Sequence, residues 1–234
     1  MTQQRLNTFN IDLHTHTWYS ADSVTAPAQL VRRARGVGLD RIAVTDHGTI
    51  EGAREAQALD PELIIVGEEI GCAGGVELIG LYLSKHIDNG HTVETTALRI
   101  REQGGVVYVP HPFAYLRRSM ARAEQLLRAA DVVEVFNSRA FYPPWNRKAR
   151  ERAAALRLRT AISSDAHMPW ELGRAYGIVP AFDSAAELLN ALWKVQPCVR
   201  RRATPFIHAL SMGIHLSRRA VGRGHGVPLR DVPS

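Results

Sequence analysis

The chain has 234 residues, 45% of them apolar and 22% charged, proportions that exclude a disordered tail protein, a collagen and a disulfide scaffold. Its formal charge of +6 is uneven: residues 199–234 hold seven Arg and one acid, leaving 22 basic and 22 acidic residues in 1–198. The basicity therefore belongs to the tail and is weak evidence that the body binds nucleic acid.

Short apolar runs occur at 9–13, 41–45, 63–70, 76–83, 106–110, 132–136 and 160–163. Amphipathic stretches lie between several of them, at 28–37, 92–103, 121–130 and 146–158, and a last one follows at 184–195. In the first, Leu30, Val31, Ala34 and Val37 share a helical face. Strand–helix alternation at this pitch predicts a parallel sheet covered by helices, and seven strands come close to a closed barrel. Ala73-Gly74-Gly75 is a turn signal that predicts a hairpin between 63–70 and 76–83. Composition shifts after Pro197, which divides a barrel domain, 1–198, from a basic tail, 199–234. Within the tail, Phe206, Leu210, Ile214 and Val221 fall on one face of a possible short docked helix. Cys72 and Cys198 form no C-x-x-C pair, and no window approaches ~18 continuous apolar residues. A soluble protein of a reducing compartment, the cytoplasm, with no membrane span, is expected.

The acids and histidines follow the strands. Asp12-Leu13-His14-Thr15-His16, Thr45-Asp46-His47, Gly67-Glu68-Glu69, Pro110-His111-Pro112, Glu134-Val135-Phe136-Asn137 and Ser164-Asp165-Ala166-His167 each end an apolar run. In a (β/α) barrel those ends converge on one face, where the βα loops build the site. His14 and His16 are two apart in an extended segment and point to one side, as do Asp165 and His167. Imidazole with carboxylate suits Zn²⁺, Mn²⁺ or Fe²⁺. The candidate ligands are His14, His16, Asp22, His47, Glu69, Glu77, His111, Asn137, Asp165 and His167. That is more than the roughly four to six one ion needs, so two or three ions sharing a bridging carboxylate are expected. Arg117, Arg118 and Arg139 follow strand ends and are candidates to clamp a substrate phosphate. Glu68 is expected to face away from Glu69, and Asp12 to orient an imidazole or merely start a strand.

DLHTHT with S-A-D, TDH, G-E-E-I, HPF and SDAH, in this order from about Asp12 to Gly173, resemble the PHP (polymerase and histidinol phosphatase) family of metal-dependent phosphoesterases. The resemblance implies a distorted, TIM-like (β/α)7 barrel of the PHP type with two or three divalent ions at the strand C-termini. It assigns His14, His16, Glu69 and Asp165 to a first ion, with Glu69 bridging to a second that His111 also binds. Asp22, His47 and His167 go to a third. Glu77 and Asn137 stand where many members have His, or His or Cys, which favours Mn²⁺ or Fe²⁺ over Zn²⁺ at the second site.

The implied activity is hydrolysis of a phosphate ester, a phosphomonoester or a nucleotide, with Glu69, Asp165 and His167 as catalytic residues. A hydroxide held between two ions would attack phosphorus, since metal binding lowers the pKa of water from roughly 15.7 to about 7. The alternatives are a metal-dependent nuclease on short oligonucleotides, with the basic tail tracking the backbone, and a non-catalytic PHP-type module. Nucleotide-active relatives carry an inserted domain after the third or fourth strand, and the 22 residues between Leu83 and Val106 leave no room for one.

Overall fold

The computed structural model of the chain describes residues 7–114 and 120–200, together with Gly213, Ile214 and Leu216. In chain order the elements are β1 (Thr8–Thr15), α1 (Pro27–Val37), β2 (Arg41–Val44), α2 (Glu51–Leu59), β3 (Ile64–Cys72), β4 (Val76–Leu81), α3 (Val93–Glu102), β5 (Val106–Val109), α4 (Met120–Ala129), β6 (Val132–Asn137), α5 (Pro143–Ala155), β7 (Arg159–Ser163), β8 (Ala175–Pro180), α6 (Ala185–Ala191) and β9 (Gln196–Val199). All seven expected strands and all five expected helices form, with boundaries moved by a few residues. The helix expected over 205–221 lies outside the described residues, apart from Gly213, Ile214 and Leu216, which are helical.

The nine strands make one sheet in the order β7-β6-β5-β4-β3-β2-β1-β8-β9. A parallel bridge from Thr15 to Ala166 brings the end of β1 to the segment after β7, so β1–β7 nearly close a barrel. Strands β1–β2–β3 and β5–β6–β7 pair in parallel, whereas β4 is antiparallel to both neighbours. This reversed strand is the distortion of the TIM-like plan. It follows from the hairpin, whose turn uses Gly74 and Gly75 at φ 82° and 72°. The sequence reading missed α2, whose buried face is only Gly52, Ala53 and Ala56, and the strands β8 and β9 that extend the sheet beyond β1. Strand β8 pairs antiparallel with the first half of β1, Thr8–Ile11 against Gly177–Pro180.

Helices pack on the outer face of the barrel. Leu30 and Ala34 of α1, Ala53 and Ala56 of α2 and Ala97 and Ile100 of α3 share a core with the outward Ile42, Val44, Ile64 and Val66. Pro27 starts α1, and Gly38, at φ 82°, ends it with its N–H on Ala34 O. Inside the barrel Ile11, Leu13, Ala43, Ile65, Ile79, Leu81 and Tyr108 cluster, closed off below by Phe182, Leu188 and Leu192. Among the described residues no helix is long and apolar enough to cross a membrane.

Two register shifts set the aim of side chains near the barrel mouth. Strand β1 pairs Asp12 with Ile42 but Thr15 with Val44. Strand β6 pairs Glu134 with Ala161 but Phe136 with Ile162. Each inserts one extra residue opposite a regular partner, which re-aims the side chains beyond it.

Candidate metal centre

The expected ligands gather at the C-terminal ends of the parallel strands. The shift in β1 turns His14 inward beside Leu13, and His16 follows on the same side, Nε2 to Nε2 at 3.1 Å. Glu69 of β3 reaches between them: its Oε2 lies 3.4 Å from His14 Nε2, 3.5 Å from His16 Nε2 and 3.2 Å from His47 Nδ1. Its Oε1 lies 3.4 Å from His111 Nε2. Asp165 Oδ1 stands 3.5 Å from both His14 Nε2 and His16 Nε2. Asp22 faces His167 at 3.1 Å and His47 at 3.7 Å. Four overlapping groups result: His14, His16 and Asp165; His14, Glu69 and His111; His47, Glu69 and Glu77; and His16, His47 and His167. Nine of the ten expected ligands thus meet in one cluster. Two, His111 and Asp165, hold left-handed backbone at φ 27° and 54°, strain of the kind that collects at functional sites.

The imidazoles are aimed by their other nitrogens. His14 donates from Nδ1 to Glu134 Oε1 at 3.1 Å, and His167 from Nδ1 to the Asp165 carbonyl at 2.9 Å. His16 Nδ1 meets Ser20 Oγ at 3.1 Å, and Ser20 itself donates to Asp46. This fixes the tautomer in which Nε2 carries a lone pair toward the cluster, the arrangement ligating histidines have. Asp46 also accepts from the backbone and side chain of Thr17. Gly52 permits that close approach of α2, because a Cβ there would collide with Asp46 Oδ2.

Electrostatics favour a cation. Burial opposes charge on Glu69, but His47 and His14 outweigh it and hold the carboxyl well below its usual range; Asp165 behaves likewise beside His14. Burial also opposes a charged His14, yet Asp165, Glu134 and Glu69 outweigh it and raise its pKa well above normal. His16, buried and next to His167, falls to about 3. Glu69 Oε1 and Asp22 Oδ1 are buried without a hydrogen-bond partner among the described residues. Orphaned carboxylate oxygens beside inward imidazole nitrogens are a donor set that divalent cations complete, so the residues fit the ions expected of them.

Four side chains beside the ligand groups have partners of their own. Asn137 does not offer its carbonyl oxygen to the cluster. Its Oδ1 accepts from the amides of Arg139 and Ala140, while its Nδ2 donates to Glu134 and Asp165. Arg139 is buried, and its guanidinium donates to Glu171 Oε2, which also accepts from the amides of His167 and Met168. Arg139 thereby braces the loop that carries His167. Asp12 touches no imidazole and instead accepts from the amide and hydroxyl of Ser164, tying β1 to the end of β7. Glu68 leaves the cluster as expected, yet it is fully buried and accepts from His86 and the Ile87 amide. Arg117 and Arg118 lie outside the described residues.

The sequence reading passed over Glu134, Ser20 and Tyr108. Glu134 accepts from His14, the His111 amide, Asn137 Nδ2 and the Tyr108 hydroxyl. Its only signal was an acid embedded in the V-V-E-V-F run, which reads equally as a strand interior.

Comparison with known proteins agrees with this construction. The PHP domain model matches residues 12–142, and a PHP-associated model matches 143–196. An uncharacterized protein of Methanocaldococcus jannaschii is 37% identical over 141 residues, covering 54% of this chain and 81% of that protein. A second from the same organism is 36% identical over 172 residues, 71% of this chain and 68% of that protein. A 5'-3' exoribonuclease of Haemophilus influenzae is 38% identical over 80 residues, only 32% of this chain and 29% of the enzyme. A two-domain protein of Bacteroides vulgatus containing a predicted PHP-like metal-dependent phosphoesterase shares the fold. Its TM-score is 0.66 at 19% identity, over 82% of this chain and 65% of that one. The chain therefore belongs to the PHP domain family and is a metal-dependent phosphoesterase.

Proposed function

We propose that the chain hydrolyses a small phosphomonoester, a mononucleotide among the candidates, with two or three divalent ions, Mn²⁺ or Fe²⁺ ahead of Zn²⁺. The observation that carries this reading is Glu69, whose two oxygens reach four imidazoles from three separate strand ends. His14, His16, Glu69 and Asp165 would hold one ion, Glu69 and His111 a second, and Asp22, His47 and His167 a third, with Glu77 beside His47 and Glu69. Bound there, the ions supply Lewis acidity toward a phosphoryl oxygen and an acidified water.

The remaining chemistry belongs to the chain. Glu134 and Ser20 keep His14 and His16 in register, and Asn137 holds Asp165 with a donor so that both Asp165 oxygens stay fixed. Arg139 keeps positive charge near Asp165 and locks the loop of His167 through Glu171. The cleft above the cluster measures about 300 Å³, with Asn89 at its margin accepting from the Gly71 amide and so ordering the β3–β4 hairpin. That volume supports a compact ester. The short similarity to an exoribonuclease supports a second reading, cleavage at oligonucleotide ends, with the basic tail along the backbone.

The test is hydrolysis of p-nitrophenyl phosphate, a mononucleotide panel and a short RNA after Mn²⁺ loading. His14→Ala and Asp165→Ala serve as controls. Turnover of the small esters that both substitutions abolish is the expected result. Equal rates in wild type and variants would reject hydrolysis at this cluster, and a strong preference for RNA would favour the second reading.

A further inference from the structure

The cleft over the ligand cluster is bordered by a segment that carries no candidate ligand. Residues 86–91 lie along the far end of β3 and are tied to it by a run of hydrogen bonds. His86 Nδ1 and the Ile87 amide meet the buried carboxylate of Glu68. The Gly71 amide donates to Asn89 Oδ1 at 2.7 Å, the Gly90 amide to the Gly71 carbonyl at 2.8 Å and the Ala73 amide to the His91 carbonyl at 2.7 Å. Asn89 is therefore exposed yet held in one place.

The Gly71 amide can only donate, so it meets the oxygen of the Asn89 side chain and leaves Nδ2 on the other side. Nδ2 lies over Gly48, where a Cβ would stand only 2.7 Å from it, and Gly48 directly follows His47. The Gly48 amide in turn donates to the Glu69 carbonyl, which sets this glycine beside β3. The N–H groups of Asn89 Nδ2 have no partner among the described residues. Asn89 borders the cleft of about 300 Å³, and the other polar side chains that line it, Asp22, His47, Glu69 and Glu77, are all candidate metal ligands.

We infer that Asn89 is a substrate-binding residue whose Nδ2 donates to a phosphoryl oxygen presented to the group of His47, Glu69 and Glu77. The inference rests on ester hydrolysis at this cluster. A phosphoryl dianion entering the cleft needs donors, and a neutral one serves best here. A lysine or arginine in its place would pair with the surrounding carboxylates and compete with the cations for them. Because the segment is already fixed, the donor is ordered before the substrate arrives, and little entropy is lost in making the bond.

Asn89→Asp and Asn89→Ala separate this role from a purely structural one. The aspartate keeps an acceptor for the Gly71 amide but has no donor, and the alanine has neither. Inorganic phosphate is titrated calorimetrically into the Zn²⁺-loaded protein, with metal content measured for each variant, and kcat and KM for p-nitrophenyl phosphate are determined with Mn²⁺. Both variants are expected to bind phosphate at least about tenfold more weakly than wild type, the scale of one hydrogen bond to a charged group, at unchanged metal content. The Gly71 amide should exchange faster with solvent only in Asn89→Ala. In ¹H–¹⁵N spectra of the Zn²⁺-loaded wild type, the side-chain amide pair that vanishes in Asn89→Asp should shift when phosphate is added. Wild-type phosphate affinity in Asn89→Asp, with that amide pair unmoved in wild type, would overturn the assignment and leave hydrolysis at the cluster intact. Wild-type protein that neither binds phosphate nor turns over the ester would overturn hydrolysis at the cluster, and the assignment with it.

Discussion

The barrel interior has two halves built on the same strands and ruled by different physics. In the lower half Ile11, Ala43, Ile65, Ile79, Leu81 and Val132 fill the space, and their worth is area removed from water. In the upper half, a few residues further along the chain, His14, Glu69, Glu134 and Asp165 are as fully enclosed, and their burial costs free energy that is offset only by the opposite charges around them. Tyr108 marks the border: its ring joins the apolar cluster, and its hydroxyl meets Glu134 and Ser163. The difference teaches that stability and chemistry are stacked along each strand, so substitutions a few residues apart should fail in opposite ways.

The sharpest separation is expected from His14→Ala. Activity with Mn²⁺ should fall at least about 100-fold, beyond what outer-shell changes cost, while the metal-free protein melts somewhat lower, because Asp165, Glu134 and Glu69 lose the imidazole that offsets their burial. Activity that falls only in proportion to the folded fraction would merge the two halves. Leu81→Ala should show the reverse: about 2–5 kcal/mol lost in denaturant titration, with metal stoichiometry retained in the folded fraction. Glu134→Gln probes the border. It keeps an acceptor for His14 Nδ1 but removes the charge, so metal affinity measured by calorimetry should weaken about 10–100-fold with little change in melting. Smallest is Gly52→Ala, which pushes a methyl group against Asp46 and Thr17; about 1–3 kcal/mol of destabilisation is expected, with weaker metal binding through Ser20 and His16 as its signature.

Much of this was legible in the chain. Seven apolar runs with interleaved helices specify the barrel, and the Gly74-Gly75 turn specifies the reversed β4. HxH, TDH and SDAH name the ligand cluster because each stands at or just past a strand end, which fixes a side chain's address without knowledge of its neighbours, and Glu69 lies in the second half of β3. Helix α2 escaped because alanine and glycine make a face that packs closely without a strong hydrophobic signal.

What the sequence by itself determined is the seven barrel strands, most of their helices, their order and the ligand types at their ends, all of which arise from local periodicity and short-range motifs. Only the tertiary structure decided which way the side chains after each irregularity point. The extra residue in β1 brings His14 inward, and the one in β6 allows Glu134 to reach His14 and Asn137, three further on, to reach Asp165. It likewise supplied the backbone amides that Asn137 accepts from and the Glu171 carboxylate that Arg139 binds. Period-two alternation carries no record of a bulge, and a hydrogen-bond partner thirty residues away leaves no trace in the local pattern.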